Sequence, residues 1–334
     1  MRRTAYLGSI LVLFTALAVP AFAQQINDPA EYTAYMVVYN EKDLPKKAAA
    51  GEKFLQDYPK TTANTQAYMM ILMSYYTAQN WPKSLEWADK QAQVAPTLGA
   101  DDKKKVVIIG MTAAEATKNT AKLKLYAEKV LENDPKNAPA LVTLSGLLAN
   151  SLPTDDAGKT KQLEETLVIT KRALAAPKPE GASEAQWNPV LVQLHDTTCM
   201  VLLNQKKNAE AIAACDDALK LNKKDGYAYH LKGLAMKPAV AEAIAKYKAA
   251  VDKMNSDENR KADQLVRDEL KANADGLLEA ATAKTNELAE IFAKSVATGW
   301  SGAANARKDL MQVFQGTPAE LDKLIEDMKV QINK

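Results

Sequence analysis

Two cysteines are the side chains with the clearest potential chemistry in this sequence of 334 residues. Cys199 and Cys215 fall in consecutive helical patterns, each on the stripe that faces the neighbouring helix. In an oxidising compartment such a pair forms a disulfide if the two Cα atoms come within about 7 Å. The other outcome is two buried thiols, which are common core residues. The spacing leaves both alternatives open.

The two histidines do not form a recognisable catalytic or metal-binding pattern. His195 and His230 are too few for a catalytic zinc ion, which generally takes three protein ligands. We expect His195 to pack against a neighbouring helix and His230 to lie on an exposed or groove-lining face. Adjacent acidic pairs such as Asp216-Asp217 diverge by about 100° on a helix and do not converge on one substrate atom. The sequence therefore predicts a protein that is not an enzyme and that needs no metal or cofactor.

The first 23 residues have the features of a secretory signal peptide. A basic start at Arg2 and Arg3 precedes the apolar run Leu7–Val19, and an Ala-Phe-Ala cleavage site ends at Ala23. We expect an exported mature chain, periplasmic or secreted, with no integral membrane segment. Because the two arginines are the only charged residues of this leader, its removal leaves 41 basic and 41 acidic side chains. A nucleic-acid partner is not expected, since such proteins normally carry a basic footprint.

Composition and proline spacing predict an all-α chain. Alanine is abundant and only 13 glycines occur, which favours helix. The prolines, including Pro189 and Pro238, are expected between helices or at their edges, where a missing N–H does least harm. After Pro238 no proline occurs until Pro318. We therefore predict short helices with tight turns in the first part and longer helices in the last part.

Small residues recur at helical spacing. Ala211, Cys215 and Ala218 lie at intervals of four and three, on one face of a helix, and the segment around Tyr247 repeats the pattern. Small side chains allow a partner helix to approach closely. Since neither helix of such a pair buries its apolar face alone, the pairs must stack on one another.

These patterns resemble the tetratricopeptide-repeat (TPR) family, in an exported bacterial form. The resemblance is carried by Tyr68, Ile71, Tyr75, Ser84 and Pro96 in one unit and by Ala211, Ala218, Tyr229 and Gly233 across two others. It implies an all-α fold, a right-handed α–α superhelix of about six helix pairs, within residues 24–255. A C-terminal helical extension at residues 256–334 would cap the last pair. The resemblance is strong for fold and nearly silent on function.

The first helices of the pairs are expected to line a concave face. The residues predicted on it are Gln66, Met69, Met73, Tyr76, Gln193, Asp196, Met200, Tyr227, His230 and Leu234. Methionine and tyrosine suit an adaptable peptide-binding surface, although methionines at helical spacing are more often packing residues. We therefore predict a non-enzymatic scaffold that binds a protein or peptide partner.

Two other functions remain open. The first is an oligomerising subunit of a cell-envelope assembly, which is favoured by the heptad-like spacing of Leu270, Leu277 and Ile291. Lys284 interrupts this spacing and makes the alternative weaker. The second is an enzyme without a recognisable motif, for example a glycan-processing protein with two distant carboxylates.

Overall fold

The structure, a computed structural model, describes residues 26–333. The predicted signal peptide at residues 1–23 lies outside the described residues. Within the described range the chain forms sixteen α-helices and no strand. The predicted all-α class is therefore confirmed.

The chain forms two compact units, which we call the N-terminal unit, ending at Leu147, and the C-terminal unit, beginning at Leu148. This grouping does not test the predicted domain boundary between residues 255 and 256, which stays a prediction.

The N-terminal unit is a series of helical hairpins. Its helices are α1 (Pro29–Asn40), α2 (Leu44–Asp57), α3 (Asn64–Thr77), α4 (Trp81–Asp89), the short α5 (Gln91–Val94), α6 (Ala100–Ala116), α7 (Thr120–Asn133) and α8 (Ala138–Asn150), within which the unit ends. Helix α1 packs against α2, α3 against α4, and α6 against α7. Tyr68, Ile71 and Tyr75 of α3 are buried, as the repeat resemblance predicts.

The same tight turn joins three of the hairpins in the chain. Gln79, Lys118 and Lys206 each adopt a left-handed backbone conformation, with φ of 56°, 57° and 59°. In the first two turns the next residue is asparagine, and its side chain accepts a backbone N–H of the second helix. In the third turn Lys207 takes that place, and its side chain makes no capping bond.

The C-terminal unit begins with hairpins and ends with long helices. It contains α9 (Asp156–Ala175), α10 (Glu184–Asn204), α11 (Asn208–Leu221), α12 (Gly226–Met254), α13 (Asp257–Arg260), α14 (Gln264–Ala297), α15 (Ala303–Val313) and α16 (Pro318–Ile332). Helix α10 packs against α9 and α11, α12 packs against α11 and α14, and α14 packs against α15 and α16.

Two prolines expected at helix edges lie inside helices instead. Pro189 is within α10 and Pro238 is within the 29-residue helix α12. The segment around Tyr247 is consequently a continuation of α12, and the expectation that it forms the second helix of a pair is wrong. Each proline removes one backbone hydrogen bond. Near Pro238 this loss is offset by packing, because Val240 is buried in a core cluster with Leu288 of α14.

Cys199 of α10 and Cys215 of α11 form a disulfide in the structure, and their Cα atoms are 5.4 Å apart. Both cysteines are fully buried, as are Ala211 and Ala218 on the same face of α11. The small residues bring the two helices close enough for the bridge. Of the two alternatives left by the sequence, the structure has the disulfide.

Candidate functional site

The residues predicted to line a concave face fall into two groups. Gln66, Met69, Met73 and Tyr76 lie on α3 in the N-terminal unit, whereas the other six lie on α10 and α12 in the C-terminal unit.

The α3 group consists of half-buried side chains with mostly packing contacts. The ring of Tyr76 packs edge-on against Trp81, with centroids 5.8 Å apart. Gln66 has a buried Oε1 atom without a hydrogen-bond partner in the described structure. None of these four side chains is a carboxylate, an amine or a histidine, so this group offers shape but little chemistry.

The group on α10 and α12 combines exposed and buried polar atoms. Gln193 is exposed and Met200 is half-buried on the same face of α10 as Asp196. Tyr227, in the first turn of α12, is 37% exposed. Helices α10 and α12 pack against each other, and Tyr227 of α12 lies close to Asp196 of α10.

Asp196 has the most unusual environment of this group. The residue is partly exposed, but its Oδ1 atom is buried and has no hydrogen-bond partner among the described residues. Burial, together with the nearby Asp225 carboxylate, raises the pKa of the Asp196 carboxyl to about 8. A carboxyl in this environment is largely protonated near neutral pH unless a cation comes close.

Asp225 is the N-cap of α12 and lies near Asp196 and Tyr227. Its Oδ1 accepts the backbone N–H groups of Tyr227 and Ala228, each at 3.0 Å. Burial and the two nearby aspartates raise the pKa of the Tyr227 hydroxyl. Neither Asp196 nor Asp225 forms an ion pair with any residue described in the structure.

Trp300 completes the aromatic part of this surface, and sequence analysis missed it. Its ring centroid lies 5.6 Å from that of Tyr227 and 5.7 Å from that of His230. The indole Nε1–H donates to Ser295 Oγ at 2.9 Å, and that hydroxyl donates to the carbonyl oxygen of Gly226 at 2.7 Å. These two bonds fix the indole against the start of α12.

Gly226 is required for this close approach. A Cβ atom added at Gly226 would lie 2.1 Å from Thr298 Oγ1 and 2.2 Å from Trp300 Cδ1. Only a residue without a side chain leaves room for the indole here. The Gly-Trp-Ser-Gly sequence at residues 299–302 predicts a turn, and its residue types do not indicate that the indole packs at the start of α12.

His230 and Leu234 do not line an open face, contrary to the prediction. The His230 side chain is only 13% exposed, and its Nε2 lies 2.9 Å from Asp309 Oδ2 of α15. Leu234 packs against the core cluster that includes Phe292 of α14. Helices α14 and α15 therefore cover the part of α12 that the repeat pattern left free.

Asp309 differs from Asp196 because it is neutralised. Lys237 Nζ donates to its Oδ1 at 2.5 Å, and His230 contacts its other oxygen. Burial alone would raise the pKa of Asp309, but the bonds to Lys237 and His230 outweigh it, and the net shift is downward.

We call the surface formed by Gln193, Asp196, Met200, Tyr227 and Trp300 the Asp196 face.

Residues 26–333 contain no group of three or more potential ligands that could hold a metal ion. In the same range, no helix combines the length and apolar character that crossing a membrane requires.

No family model matches the chain, and no curated protein matches it significantly. Among solved structures, the chain is similar to YrrB, a TPR protein with an unusual peptide-binding site, at 14% identity and a TM-score of 0.41, covering 64% of this chain and 99% of that one. A tetratricopeptide-repeat protein from Parabacteroides merdae is 10% identical, with a TM-score of 0.37, and the match covers 86% of this chain and 100% of that one.

The C-terminal part of a TPR repeat-containing protein from Cytophaga hutchinsonii gives 10% identity and a TM-score of 0.36, covering 87% of this chain and 98% of that one. The described residues themselves show an all-α chain of packed helical hairpins, and the TPR resemblance stays a prediction from the residue pattern. Similarity at this level carries no argument about binding or activity.

Proposed function

We propose that this protein is an exported, non-enzymatic scaffold that binds a peptide segment of a partner protein on the Asp196 face. The observation that carries the proposal is the exposed ring of Tyr227, which packs against Trp300 and lies close to Asp196, whose buried Oδ1 has no hydrogen-bond partner among the described residues. A buried polar atom without a hydrogen bond costs free energy and does nothing for folding. Departures of this kind from good packing concentrate at functional sites.

The composition of the surface supports a peptide as the ligand. Tyr227 and Trp300 offer large rings with polar tips, and the half-buried Met200, which also packs against the core cluster around the disulfide, adds a flexible apolar side chain. Gln193 is exposed and has both a donor and an acceptor for a peptide backbone.

Export is supported by the leader sequence and by the buried disulfide. A signal peptide with a cleavage site at Ala23 directs the chain out of the cytoplasm. The Cys199–Cys215 bridge then suits the oxidising environment that the chain would meet. Intact mass measurement of the protein from its own host should give a chain that begins at Gln24. A retained Met1 would contradict export through cleavage of this leader.

The His230–Asp309 pair does not argue for catalysis. Its histidine ring is covered by Phe292 and Trp300, with centroids 6.0 and 5.7 Å away, and its aspartate is held by Lys237. A general base needs access to a substrate proton. We therefore assign the pair to holding α15 against α12.

The proposal is tested by selecting peptides from a displayed random library against the oxidised mature chain, residues 24–334. Affinities of the selected peptides are then measured by fluorescence polarisation. The double variant Met200→Ala/Tyr227→Ala should bind at least tenfold more weakly, because it removes most of the apolar contact area. The matched variant Met73→Ala/Tyr76→Ala changes the same residue types on α3 and should bind as the unmodified protein does.

Two results would count against the proposal. If no peptide is enriched, the chain is not a peptide-binding scaffold of this kind. If both double variants bind equally well, the peptides do not use the Asp196 face. Far-UV circular dichroism of each variant confirms that its helical content is unchanged.

A second candidate function is an assembly subunit that oligomerises through the C-terminal helices. It is favoured by Leu265 and Leu278 of α14, which are 70% and 43% exposed. Ile291 of the predicted heptad seam is instead buried in the chain's own core with Met236. Light scattering of the mature chain distinguishes the candidates, since the scaffold proposal predicts a monomer without its partner.

A further inference from the structure

We infer that a cationic groove in the C-terminal unit binds an acidic peptide segment of a partner protein. The groove is formed by α11, α12 and α14 and has a volume of about 630 Å³. We call it the lysine groove, after the four lysines in its lining, Lys220, Lys223, Lys232 and Lys294. This inference goes beyond the proposed function and does not depend on it.

The lysine groove lies on a different side of α12 from the Asp196 face. Tyr229 lines the groove, and it follows Tyr227 of the Asp196 face by two positions. Because successive residues of an α-helix are rotated by about 100°, these two side chains point about 200° apart around the helix. A ligand in the groove therefore does not occupy the Asp196 face.

The first argument is the charge of the groove. Its lining contains two aspartates beside the four lysines, and each aspartate is already paired, Asp216 with Lys232 at 2.6 Å and Asp217 with Lys220 at 2.7 Å. Lys223 and Lys294 are left over, and the lining has two positive charges in excess. The chain after residue 23 has equal numbers of basic and acidic side chains, so this excess is local. An anionic ligand complements it.

The second argument is the supply of recessed hydrogen-bond donors. The Lys232 side chain is only 17% exposed, and its ammonium group has three N–H donors, of which Asp216 occupies one. The ring of Tyr229 packs against the core cluster of α12 and α14. Burial and the nearby Asp216 carboxylate raise the pKa of the Tyr229 hydroxyl, so this group stays protonated and can donate. Carboxylates accept strong bonds from such donors.

The third argument distinguishes a peptide from a small anion. The lining also contains apolar side chains, among them the buried Ile291 and the half-buried Leu219. The lysines lie on three sides, since Lys232 belongs to α12 and Lys294 to α14, and the other two lie on or just after α11. An inorganic ion reaches only part of this lining. A peptide with several carboxylates and an apolar side chain contacts all of it.

A nucleic acid fits the groove less well than an acidic peptide. Single strands are held by stacking of bases on several aromatic rings, and Tyr229 is the single ring among the described residues of the lining. The carboxylates of Asp216 and Asp217 also face the groove and repel phosphates that lie close to them.

The inference is tested on an array of random eight-residue peptides that contain from zero to six acidic residues, probed with the oxidised mature chain, residues 24–334. We expect the bound signal to increase with the number of acidic residues. The strongest binders are then measured by fluorescence polarisation beside analogues in which every Asp and Glu is replaced by its amide, which should bind about tenfold more weakly. A signal that does not depend on the acidic residues would overturn the inference.

Charge-reversal variants connect the binding to the groove. Lys223→Glu/Lys294→Glu should weaken the acidic peptides about tenfold, because each reversal replaces an attraction by a repulsion. The matched variant Lys161→Glu/Lys271→Glu makes the same change of net charge at exposed positions of α9 and α14 outside the groove, and should weaken them less than about twofold. Equal losses in the two variants would show that net charge alone attracts the peptides, and would contradict the inference.

A second measurement needs no variant. Carbodiimide couples a peptide carboxylate directly to a lysine amine that it contacts, and mass spectrometry of the digested product identifies the lysine. The coupled residues should be Lys220, Lys223, Lys232 or Lys294, and coupling spread evenly over the other lysines would contradict the groove. A twelve-base single-stranded DNA is measured in parallel. If it binds more tightly than the acidic peptides and is equally sensitive to Lys223→Glu/Lys294→Glu, the groove binds nucleic acid and the peptide assignment is wrong.

The outcome is independent of the scaffold proposal. Met200→Ala/Tyr227→Ala leaves the lysine groove unchanged and should bind the acidic peptides as the unmodified protein does. If this variant and Lys223→Glu/Lys294→Glu each weaken a different set of peptides, both sites are supported, and loss of either set alone refutes only the corresponding site.

Discussion

Replacing Asp196 by asparagine should stabilise the protein above about pH 7. The carboxyl of Asp196 has a pKa raised by burial and by Asp225 to about 8. The folded chain therefore holds this proton up to a much higher pH than the unfolded chain does. Keeping the carboxylate ionised in the fold costs free energy, and an asparagine does not ionise.

The sign and size of the effect follow from proton linkage. A carboxyl with a raised pKa stabilises the fold at low pH, and this contribution is lost as the pH rises from about 4 to about 8. With the ordinary pKa of 3.8 in the unfolded chain, the full effect near pH 7 is roughly 4 kcal/mol. Because Asp196 is partly exposed, we expect about half of this, roughly 2 kcal/mol.

Urea unfolding followed by circular dichroism at about pH 4.5 and about pH 8 measures the effect. Asp196→Asn should raise the free energy of unfolding by about 2 kcal/mol at the higher pH and change it little at the lower pH. The control is Asp217→Asn, which removes an exposed carboxylate paired with Lys220 and should change stability by less than about 1 kcal/mol at either pH. An Asp196 variant that is no more stable than the unmodified protein at about pH 8 would refute the reasoning.

Three other changes test how the fold is held together. Replacing both Cys199 and Cys215 by alanine should lower the free energy of unfolding by about 3 kcal/mol, as expected for a bridge across a sequence separation of 16. In the unmodified protein, thiol titration after denaturation without a reductant should detect no free thiol. Lys207→Asn should add the missing cap of α11 and raise the thermal midpoint, with a gain of about 1 kcal/mol. Gly226→Ala should lower the free energy of unfolding by about 1–3 kcal/mol and change tryptophan fluorescence, because the added Cβ would overlap Trp300. The control is Gly276→Ala, where the added Cβ meets no atom within 4 Å and should leave stability unchanged or raise it. Equal effects of the two substitutions would contradict close packing at Gly226.

The helical hairpins were predictable because their packing follows from local spacing. Ala211, Cys215 and Ala218 recur every three or four residues, and all three are fully buried in the structure. Tyr68 and Ile71 are likewise fully buried on α3. A stripe of side chains at this period faces one neighbour, and small members specify a close one.

The long helices of the C-terminal unit were not predictable in the same way. Pro238 is a strong local signal for a helix boundary, yet α12 continues through it to Met254. The neighbouring helix α14 comes from a distant part of the chain and buries Val240 and Met236. Local propensity is a weak prior when such long-range packing is available. The covering of His230 and Leu234 by the same distant helices was missed for the same reason.

Some residues of the candidate site were predictable from the sequence, and others were not. The α10 and α12 positions Asp196 and Tyr227 were identified from helical periodicity as residues not used in pairing. Trp300 lies far along the chain, and only the folded structure brings it against Tyr227. The burial of Asp196 Oδ1 is likewise a property of the folded chain that residue spacing does not encode.

Two properties of Asp196 argue for selection on binding and against selection on folding. As a folding residue the side chain is a poor choice, because asparagine would have nearly the same shape without the cost of a buried charge. Asp309 shows how the same chain supports a buried carboxylate when structure is its only role, with Lys237 and His230 bound to it. Asp196 lacks such a pair and lies close to the exposed ring of Tyr227. A carboxylate that destabilises the free protein and stabilises the complex accounts for both observations, and its replacement should therefore change stability and affinity in opposite directions.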